Sequence, residues 1–122
     1  MNDAPNHDQI IRDFAAAWGA ADVDAIMAAF TADATYHNIP MDPLEGTEAI
    51  RGFIEGFIGD GVPFDIHHQV CNGNLVMNER TDTITFGGKT VSLPVMGVFE
   101  LTADGQISAW RDYFDMTAFT GG

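Results

Sequence analysis

Apolar residues recur every three to four positions through the first half of the chain, in three separate groups. This spacing is typical of helices that bury one face. The first group predicts a helix that ends near Gly19, and the second predicts a helix that Asp22 caps. The third predicts a helix that Thr47 caps. The apolar members are Ile10, Ile11, Phe14 and Trp18, then Val23, Ile26, Met27 and Phe30, then Ile50, Phe53, Ile54 and Phe57.

Apolar and polar residues alternate through the second half, which is typical of half-buried strands. Turn pairs at Asn72-Gly73, Gly87-Gly88 and Asp104-Gly105 separate the alternating segments. The predicted strands span residues 64–70, 75–86, 90–101 and 107–114, and a short strand from 34 to 38 precedes the third helix. Four strands joined by short turns form an antiparallel meander, and the helices must cover one of its faces. The fold class is therefore α+β, with residues 1–122 as a single domain.

Strand parity places charged residues on the buried face of this sheet. In the segment 75–86, the even positions include Val76 and Ile84, so the even face is the core face. Arg80 and Asp82 lie on that same face. A buried charge is costly unless it is paired and hydrogen-bonded, so their position needs an explanation.

The neighbouring strands add further polar residues to the same buried face of the sheet. Asp112 lies between Trp110 and Phe114 on one face of the last strand, and Tyr36 shares a face with Asn38 on the first. A buried ion-pair network that fixes strand register would explain the aspartates and the arginine. The additional tyrosine and asparagine favour a functional site, because a pocket that holds and orients a water needs several hydrogen-bonding partners.

Two carboxyl groups beside one guanidinium are suited to acid–base chemistry. Burial and mutual repulsion raise the pKa of one carboxyl group, and the arginine holds the other down. One acid and one base then coexist near neutral pH. Attack of water on a strained cyclic ether needs both, because a base must take the proton of the water and an acid must protonate the departing oxygen. This chemistry needs no nucleophilic side chain and no metal.

Four segments resemble the limonene-1,2-epoxide hydrolase family. They are Tyr36-His37-Asn38-Ile39-Pro40, Glu79-Arg80-Thr81-Asp82, Gly97-Val98-Phe99-Glu100-Leu101 and Trp110-Arg111-Asp112-Tyr113-Phe114-Asp115. The family shares the cone-shaped fold of nuclear transport factor 2 (NTF2-like), the ketosteroid isomerases and the SnoaL-like cyclases. The resemblance implies a curved, mostly antiparallel sheet covered by about three N-terminal helices. It also implies a homodimer that uses no cofactor and acts on a small apolar epoxide.

The resemblance also implies a role for each site residue. Asp112 would be the general base, with Tyr36 and Asn38 holding the water. Asp82 would be the general acid, and Arg80 would bridge the two aspartates. The substrate would contact an apolar wall of Ile84, Leu93, Val95, Phe114 and Trp110.

Composition excludes several partners. The chain carries 18 acidic against five basic residues, a net charge of −13, which disfavours nucleic acids and anionic membranes. The polar residues 1–9 lack the features of a signal peptide, which predicts a cytoplasmic location.

The single cysteine, Cys71, is expected to be buried and inert. His67 and His68 are adjacent on a strand and are expected to face opposite ways, so no metal site is predicted.

Two other classes of function remain open. One is an isomerase or cyclase on the same fold, in which one aspartate would move a proton and a neutral acid with Tyr36 would stabilise an enolate. Arg80 argues against an isomerase of the ketosteroid type, because it would keep nearby carboxyl groups ionised. The other is a non-catalytic protein that binds a small apolar ligand. The fold alone does not decide among them.

Overall fold

The computed structural model describes residues 5–120, and its elements follow the predicted order. Residues 1–4 and 121–122, which the single-domain prediction includes, lie outside the described residues. The helices are α1 (His7–Gly19), α2 (Val23–Ala28), α3 (Thr47–Phe57) and α4 (Thr117–Thr120). The strands are β1 (Phe30–Asn38), β2 (Leu44–Glu45), β3 (Phe64–Asn72), β4 (Leu75–Phe86), β5 (Lys89–Leu101) and β6 (Ile107–Tyr113).

Helix starts follow the capping signals in one case and depart from them in another. The Asp22 side chain accepts a hydrogen bond of 3.1 Å from the Ala25 amide, which confirms it as the N-cap of α2. The predicted cap of α3 is wrong: Thr47 is the first helical residue, and Gly46 is the N-cap. Gly46 has a φ of 86°, a conformation that favours glycine. Phe30 begins β1 instead of ending α2, because its backbone pairs with β6.

The strands form one six-stranded sheet in the order β2-β1-β6-β5-β4-β3. The predicted meander from β3 to β6 is confirmed, and β1 lies parallel to β6 at its side. The α+β class with three helices before the meander is likewise confirmed. The two-residue β2 and the four-residue α4 are too short to produce a periodic pattern, and the sequence did not predict them.

An aromatic cluster fills the core between α1 and the sheet. Phe14 of α1 contacts Trp110 of β6 edge-on, with ring centroids 5.1 Å apart. Phe99 of β5 stacks on the same indole at 5.2 Å. Trp110 has no exposed surface, so β6 is held firmly against the helix layer at the point where Asp112 follows two residues later.

A β-bulge in β3 overturns one prediction about the histidines. His67 Nε2 lies 2.8 Å from Thr81 Oγ1, and His68 Nδ1 lies 2.9 Å from Glu79 Oε1. Thr81 and Glu79 share a face of β4, so both histidines lie on that face and not on opposite faces. Within residues 5–120, no three His, Cys, Asp or Glu side chains are grouped so that they could hold a metal ion. Cys71 is exposed near the end of β3, so the prediction of a buried thiol is wrong.

Candidate active site

The pleat of the sheet turns the predicted charged residues inward. Arg80 and Asp82 on β4 are only 1% and 5% exposed, and Asp112 on β6 is 3% exposed. All three lie on the face that the helices cover, together with buried Val76 and Ile84. The parity prediction is therefore right for this face of β4 and β6.

Strand register brings the polar residues together across four strands. Asn78 of β4 pairs with Gly97 of β5, Gly97 pairs with Asp112 of β6, and Asp112 pairs with Asn38 of β1. Tyr36 lies one pleat away on β1, opposite Trp110. The polar groups of the site thus come from strands that are adjacent in the sheet although β1 is far from the others in the chain.

Arg80 bridges the two aspartates, as the sequence predicts. Its Nε donates to Asp82 Oδ1 at 2.7 Å and its Nη2 to Asp82 Oδ2 at 3.0 Å, a two-pronged contact. The same Nη2 donates to Asp112 Oδ2 at 2.6 Å. The guanidinium therefore spans the width of β5, from an acid on its own strand to an acid on β6.

Two aromatic residues, Phe64 and Trp110, contact the Arg80–Asp112 ion pair. The guanidinium carbon of Arg80 lies 4.3 Å from the centroid of the Phe64 ring, close enough for a cation–π contact. Trp110 Nε1 donates to Asp112 Oδ1 at 2.6 Å. Asp112 therefore accepts one hydrogen bond on each carboxylate oxygen, from Trp110 and from Arg80.

Tyr36 and Asn38 complete the polar end of the site. The Tyr36 ring stacks on Trp110 with centroids 4.1 Å apart and planes 6° from parallel. Tyr36 is 4% exposed and Asn38 is 7% exposed. Both line the same cavity as Asp82 and Asp112. The five predicted polar residues are thus brought together, although Arg80 lies behind the two aspartates and does not line the cavity itself.

This cavity has a volume of about 300 Å³ and is largely apolar. Carboxyl groups from Asp82 and Asp112 reach it beside the side chains of Tyr36 and Asn38. The remaining lining residues are Trp18, Met41, Phe53, Phe57, Val62, Phe64, Ile84, Leu93, Val95, Phe114, Met116 and Phe119. A cavity of this size suits a small apolar molecule.

Four of the five predicted wall residues, Ile84, Leu93, Val95 and Phe114, line the cavity. Trp110 does not line the cavity: it is fully buried beneath it, where its Nε1 donates a hydrogen bond to Asp112. Sequence parity puts Trp110 on the right face but does not show that Tyr36 covers it.

The sequence missed most of the aromatic wall. The sequence predicts only that Phe53 and Phe57 lie on the apolar side of α3, but both residues line the cavity. Helical spacing shows that such residues are buried and does not show whether they meet the core or a pocket. Asn78 lay on the inward face of β4, so parity was a sufficient signal to single it out as part of the polar set.

Burial sets the ionisation of the site. Burial raises the pKa of Asp82 to about 6, against the opposing effect of Arg80. Burial also raises the pKa of Asp112, although the Arg80 charge and hydrogen bonds from Arg80 and Trp110 oppose it. Burial, with the nearby Asp112 charge, raises the pKa of Tyr36, so its hydroxyl stays protonated. The pKa values of both aspartates are therefore raised, whereas the sequence predicts that the arginine holds one of the two pKa values down.

The raised pKa of Asp82 predicts a pH-dependent stability. The folded protein holds this proton more tightly than the unfolded chain, with a pKa of about 6 against an ordinary 3.8. The resulting stabilisation is complete below pH 3.8 and is lost as the pH rises through 6, a change of about 3 kcal/mol. Denaturant unfolding between pH 4 and 7 measures this slope, which we expect to be smaller in Asp82→Asn. An equal slope in that variant would contradict the assignment.

Fold and site together define a small α+β protein with a buried acid–arginine–acid cluster at the polar end of an apolar cavity. The chain belongs to the SnoaL-like domain family, whose sequence model matches residues 11–110. No helix within residues 5–120 is long and apolar enough to cross a membrane.

The chain is similar in sequence and in structure to epoxide hydrolases. The chain is 37% identical over 98 residues to the epoxide hydrolase EphG of Mycobacterium tuberculosis, a match that covers 78% of this chain and 64% of that relative, just under two-thirds of its length. The structure of an LEH-like epoxide hydrolase of M. tuberculosis superposes with a TM-score of 0.82 and 30% identity, over 98% of this chain and 90% of that one.

Two other solved structures extend the comparison. The epoxide hydrolase/cyclase-like enzyme SalBIII, which has a role in pyran ring formation in the polyether salinomycin, superposes with a TM-score of 0.85, 25% identity and 92% coverage of both chains. An NTF2-like protein of unknown function from Cytophaga hutchinsonii superposes at 0.81 with 21% identity, over 98% of this chain and 99% of that one. The NTF2-like fold expected from the resemblance is therefore confirmed.

Proposed function

We propose that this protein is an epoxide hydrolase that adds water to an apolar epoxide and releases a vicinal diol in one step, without a covalent intermediate or a cofactor. The observation that carries the proposal is the bridge in which Arg80 joins Asp82 and Asp112 at the polar end of an apolar cavity. The similarity to EphG and to the LEH-like epoxide hydrolase supports the same reaction.

In the proposed reaction Asp112 is the general base. A water held by Asp112, Asn38 and Tyr36 attacks an epoxide carbon, and its proton passes to the Asp112 carboxylate. The register that puts Asn38 opposite Asp112 supports this arrangement, since two neighbouring strands then offer partners to one water. Tyr36 remains a neutral phenol because burial raises its pKa, so its hydroxyl can both donate and accept a hydrogen bond.

Asp82 is the proposed general acid. As the new carbon–oxygen bond forms, the ring carbon–oxygen bond breaks, and its electron pair takes the proton of Asp82. With a pKa of about 6, Asp82 holds a proton in a useful fraction of molecules near neutral pH. The cycle leaves Asp112 protonated and Asp82 ionised, and exchange of one proton with solvent restores the starting state.

The proposed substrate is an uncharged epoxide of about 6–12 non-hydrogen atoms. Aliphatic and aromatic side chains form the wall, and the two carboxyl groups disfavour an anionic substrate. A limonene-1,2-epoxide type of activity belongs to this proposal, since cyclic terpene epoxides fall within that size.

Isotope labelling tests the mechanism. Cyclohexene oxide and limonene oxide are incubated with excess enzyme in oxygen-18 water for a single turnover, and the diol is analysed by mass spectrometry. We expect one solvent oxygen in the diol from the first turnover, because water attacks the ring directly. A first-turnover diol in which both oxygens are oxygen-16 would contradict the one-step mechanism. One of these oxygens would come from the epoxide and the other from a carboxylate of the protein, through an ester intermediate. Absence of diol from a panel of terminal and cyclic epoxides would contradict the hydrolase proposal itself.

A cyclase is the second candidate, and the similarity to the epoxide hydrolase/cyclase-like SalBIII favours it. The same acid and base would act, but a hydroxyl group within the substrate would replace water as the nucleophile. A hydroxy-epoxide separates the two proposals, because a cyclase converts it to a cyclic ether and a hydrolase converts it to a triol.

The homodimer and the cytoplasmic location remain predictions. The outer face of the sheet supports the dimer, because Val70, Met77, Met96 and Tyr113 expose between 37% and 64% of their surface there. Val70 pairs with Met77, and Met96 pairs with Tyr113, so these residues form adjoining rows on one face. An apolar surface of this kind is suited to a second copy of the chain.

A further inference from the structure

Arg80 can reach Asp112 only by crossing β5, and the residue at the crossing is Gly97. Gly97 pairs with Asn78 on one side and with Asp112 on the other. A Cβ at this position would overlap Arg80 Nη1, and it would lie 2.8 Å from Asn78 Oδ1 and 3.0 Å from Asp112 Oδ1. Gly97 has no positive φ, so its backbone does not require glycine. The requirement comes from the space that the guanidinium occupies.

The far side of the guanidinium is held by Asn78. Arg80 Nη1 donates to Asn78 Oδ1 at 3.1 Å, and Asn78 Nδ2 donates to Gln69 Oε1 at 3.0 Å. Gln69 Nε2 in turn donates to Asp8 Oδ1 at 2.8 Å. Since an ionised carboxylate only accepts, Asp8 fixes which end of Gln69 faces outward and hence which end of Asn78 faces Arg80. The amide oxygen of Asn78 is thereby presented to the guanidinium.

We propose that Gly97 and Asn78 are positioning residues of the active site: Gly97 leaves the channel through which Arg80 reaches Asp112, and Asn78 sets the guanidinium in that channel. The end of an arginine side chain is flexible and would normally shift away from an added methyl group. Here three partners hold it, Asp82, Asp112 and Asn78, and its side chain is fully buried. Any displacement therefore changes the contacts with the two acids directly.

Displacing Arg80 alters how Asp112 binds its proton. The charged and titratable groups near Asp112 are Arg80 and Asp82 on β4 and Tyr36 on β1, while β5 contributes only Gly97 at the pairing position. Arg80 is the cation of this set, and its charge opposes the effect of burial on the pKa of Asp112. A weakened Arg80 contact therefore moves this pKa upward.

The test compares Gly97→Ala with Gly52→Ala. Gly52 lies on α3 without a positive φ, and a Cβ there meets nothing within 4 Å. Carboxyl-carbon NMR titration of protein labelled at aspartate measures the pKa of Asp112, which Asp112→Asn assigns. We expect Gly97→Ala to raise the pKa of Asp112 by about one or more, which means that Asp112 binds its proton about tenfold more tightly. We expect Gly52→Ala to leave this pKa unchanged. A wild-type titration in folded Gly97→Ala, or an equal shift in Gly52→Ala, would overturn the role of Gly97.

Asn78→Ala provides a second variant in case Gly97→Ala does not fold. Its control is Asn74→Ala, which also loses an amide hydrogen bond, the 2.9 Å contact with the Leu101 carbonyl, but at a turn away from the bridge. We expect Asn78→Ala to raise the pKa of Asp112 and Asn74→Ala to leave it unchanged. An unshifted titration in Asn78→Ala would overturn the positioning proposal.

The catalytic meaning of this inference rests on the proposed function, but the titration needs no substrate. If the wild-type protein hydrolyses no epoxide and the titration still shifts as expected, the proposed function fails and the positioning role stands. If epoxides are hydrolysed and the titrations do not shift, the proposed function stands and the positioning role fails. Where turnover is measured, kcat should fall about tenfold in Gly97→Ala with KM within about threefold, since the cavity wall is unchanged.

Discussion

Asp112→Asn is expected to lower kcat/KM for epoxide hydrolysis by about a thousandfold or more, while the protein remains folded. An amide cannot take the proton of the attacking water, and loss of a positioned general base commonly removes between 10² and 10⁴ in rate. Asparagine has the same shape as aspartate, and its oxygen can still accept from Trp110 or Arg80, which hold the two carboxylate oxygens at 2.6 Å. Each carboxylate oxygen accepts an N–H in the wild type, so the amide nitrogen of asparagine faces one of these donors without accepting from it, which costs some stability. The variant should still fold, and the loss of activity should fall on kcat.

Steady-state kinetics with cyclohexene oxide, together with thermal unfolding, measure both parts of this prediction. Asp104→Asn is the matched control, because it makes the same chemical change at an exposed turn between β5 and β6. Its activity should equal that of the wild type. Full activity in a folded Asp112→Asn protein would show that another group acts as the base.

The pleat explains why the centre of this site could be predicted from sequence alone. Side chains two residues apart on a strand share a face, so the apolar neighbours of Arg80, Asp82 and Asp112 fix the direction in which these charges point. The order and pairing of β3 to β6 follow from their short turns. Those two local rules are sufficient to bring an arginine and two aspartates to one side of the sheet.

Long-range pairing explains what the sequence left open. β1 lies parallel to β6, so no turn connects them and no local signal sets the register that puts Asn38 opposite Asp112. Only the polar character of Tyr36 and Asn38 indicated that they share the pocket. The prediction that Trp110 belongs to the cavity wall is wrong for the same reason, because the ring of Tyr36 on the neighbouring strand covers it.

Irregular geometry accounts for the other differences. A bulge in β3 adds one residue to the strand, and simple alternation then fails for His67 and His68. The overlap that a Cβ at Gly97 would make with the guanidinium depends on three strands together. From the sequence, Gly97 is one more glycine in a strand, and its importance depends on the path of a side chain that begins on a neighbouring strand.

Buried charge also constrains how this site can be altered. Arg80 is one of five basic residues in a chain of net charge −13, yet its side chain is wholly buried. Burial acts to lower its pKa, but the charges of Asp112 and Asp82 and their hydrogen bonds outweigh that effect and raise it. The guanidinium is therefore permanently charged and serves as the counter-ion of both acids.

Arg80→Met is expected to reduce the free energy of unfolding at pH 8 by about 3–5 kcal/mol, because it leaves two buried carboxyl groups without their counter-ion. Without the guanidinium, burial raises the pKa of both acids still further above the ordinary 3.8. The folded variant then binds protons more tightly than the unfolded chain. Its lost stability should return as the pH falls towards 4 and disappear again as the pH rises through the folded pKa values.

Denaturant unfolding of the wild type and Arg80→Met at pH 5 and pH 8 measures this difference. Arg51→Met is the control, since Arg51 forms exposed ion pairs with Asp24 and Glu55 at 3.3 and 3.4 Å. Such surface pairs contribute about 0–1 kcal/mol, with little dependence on pH in this range. A deficit in Arg80→Met no larger than that of Arg51→Met, or one that does not shrink at pH 5, would mean that the two aspartates do not depend on Arg80 for their charge. The assignment of acid and base on either side of it would then lose its physical basis.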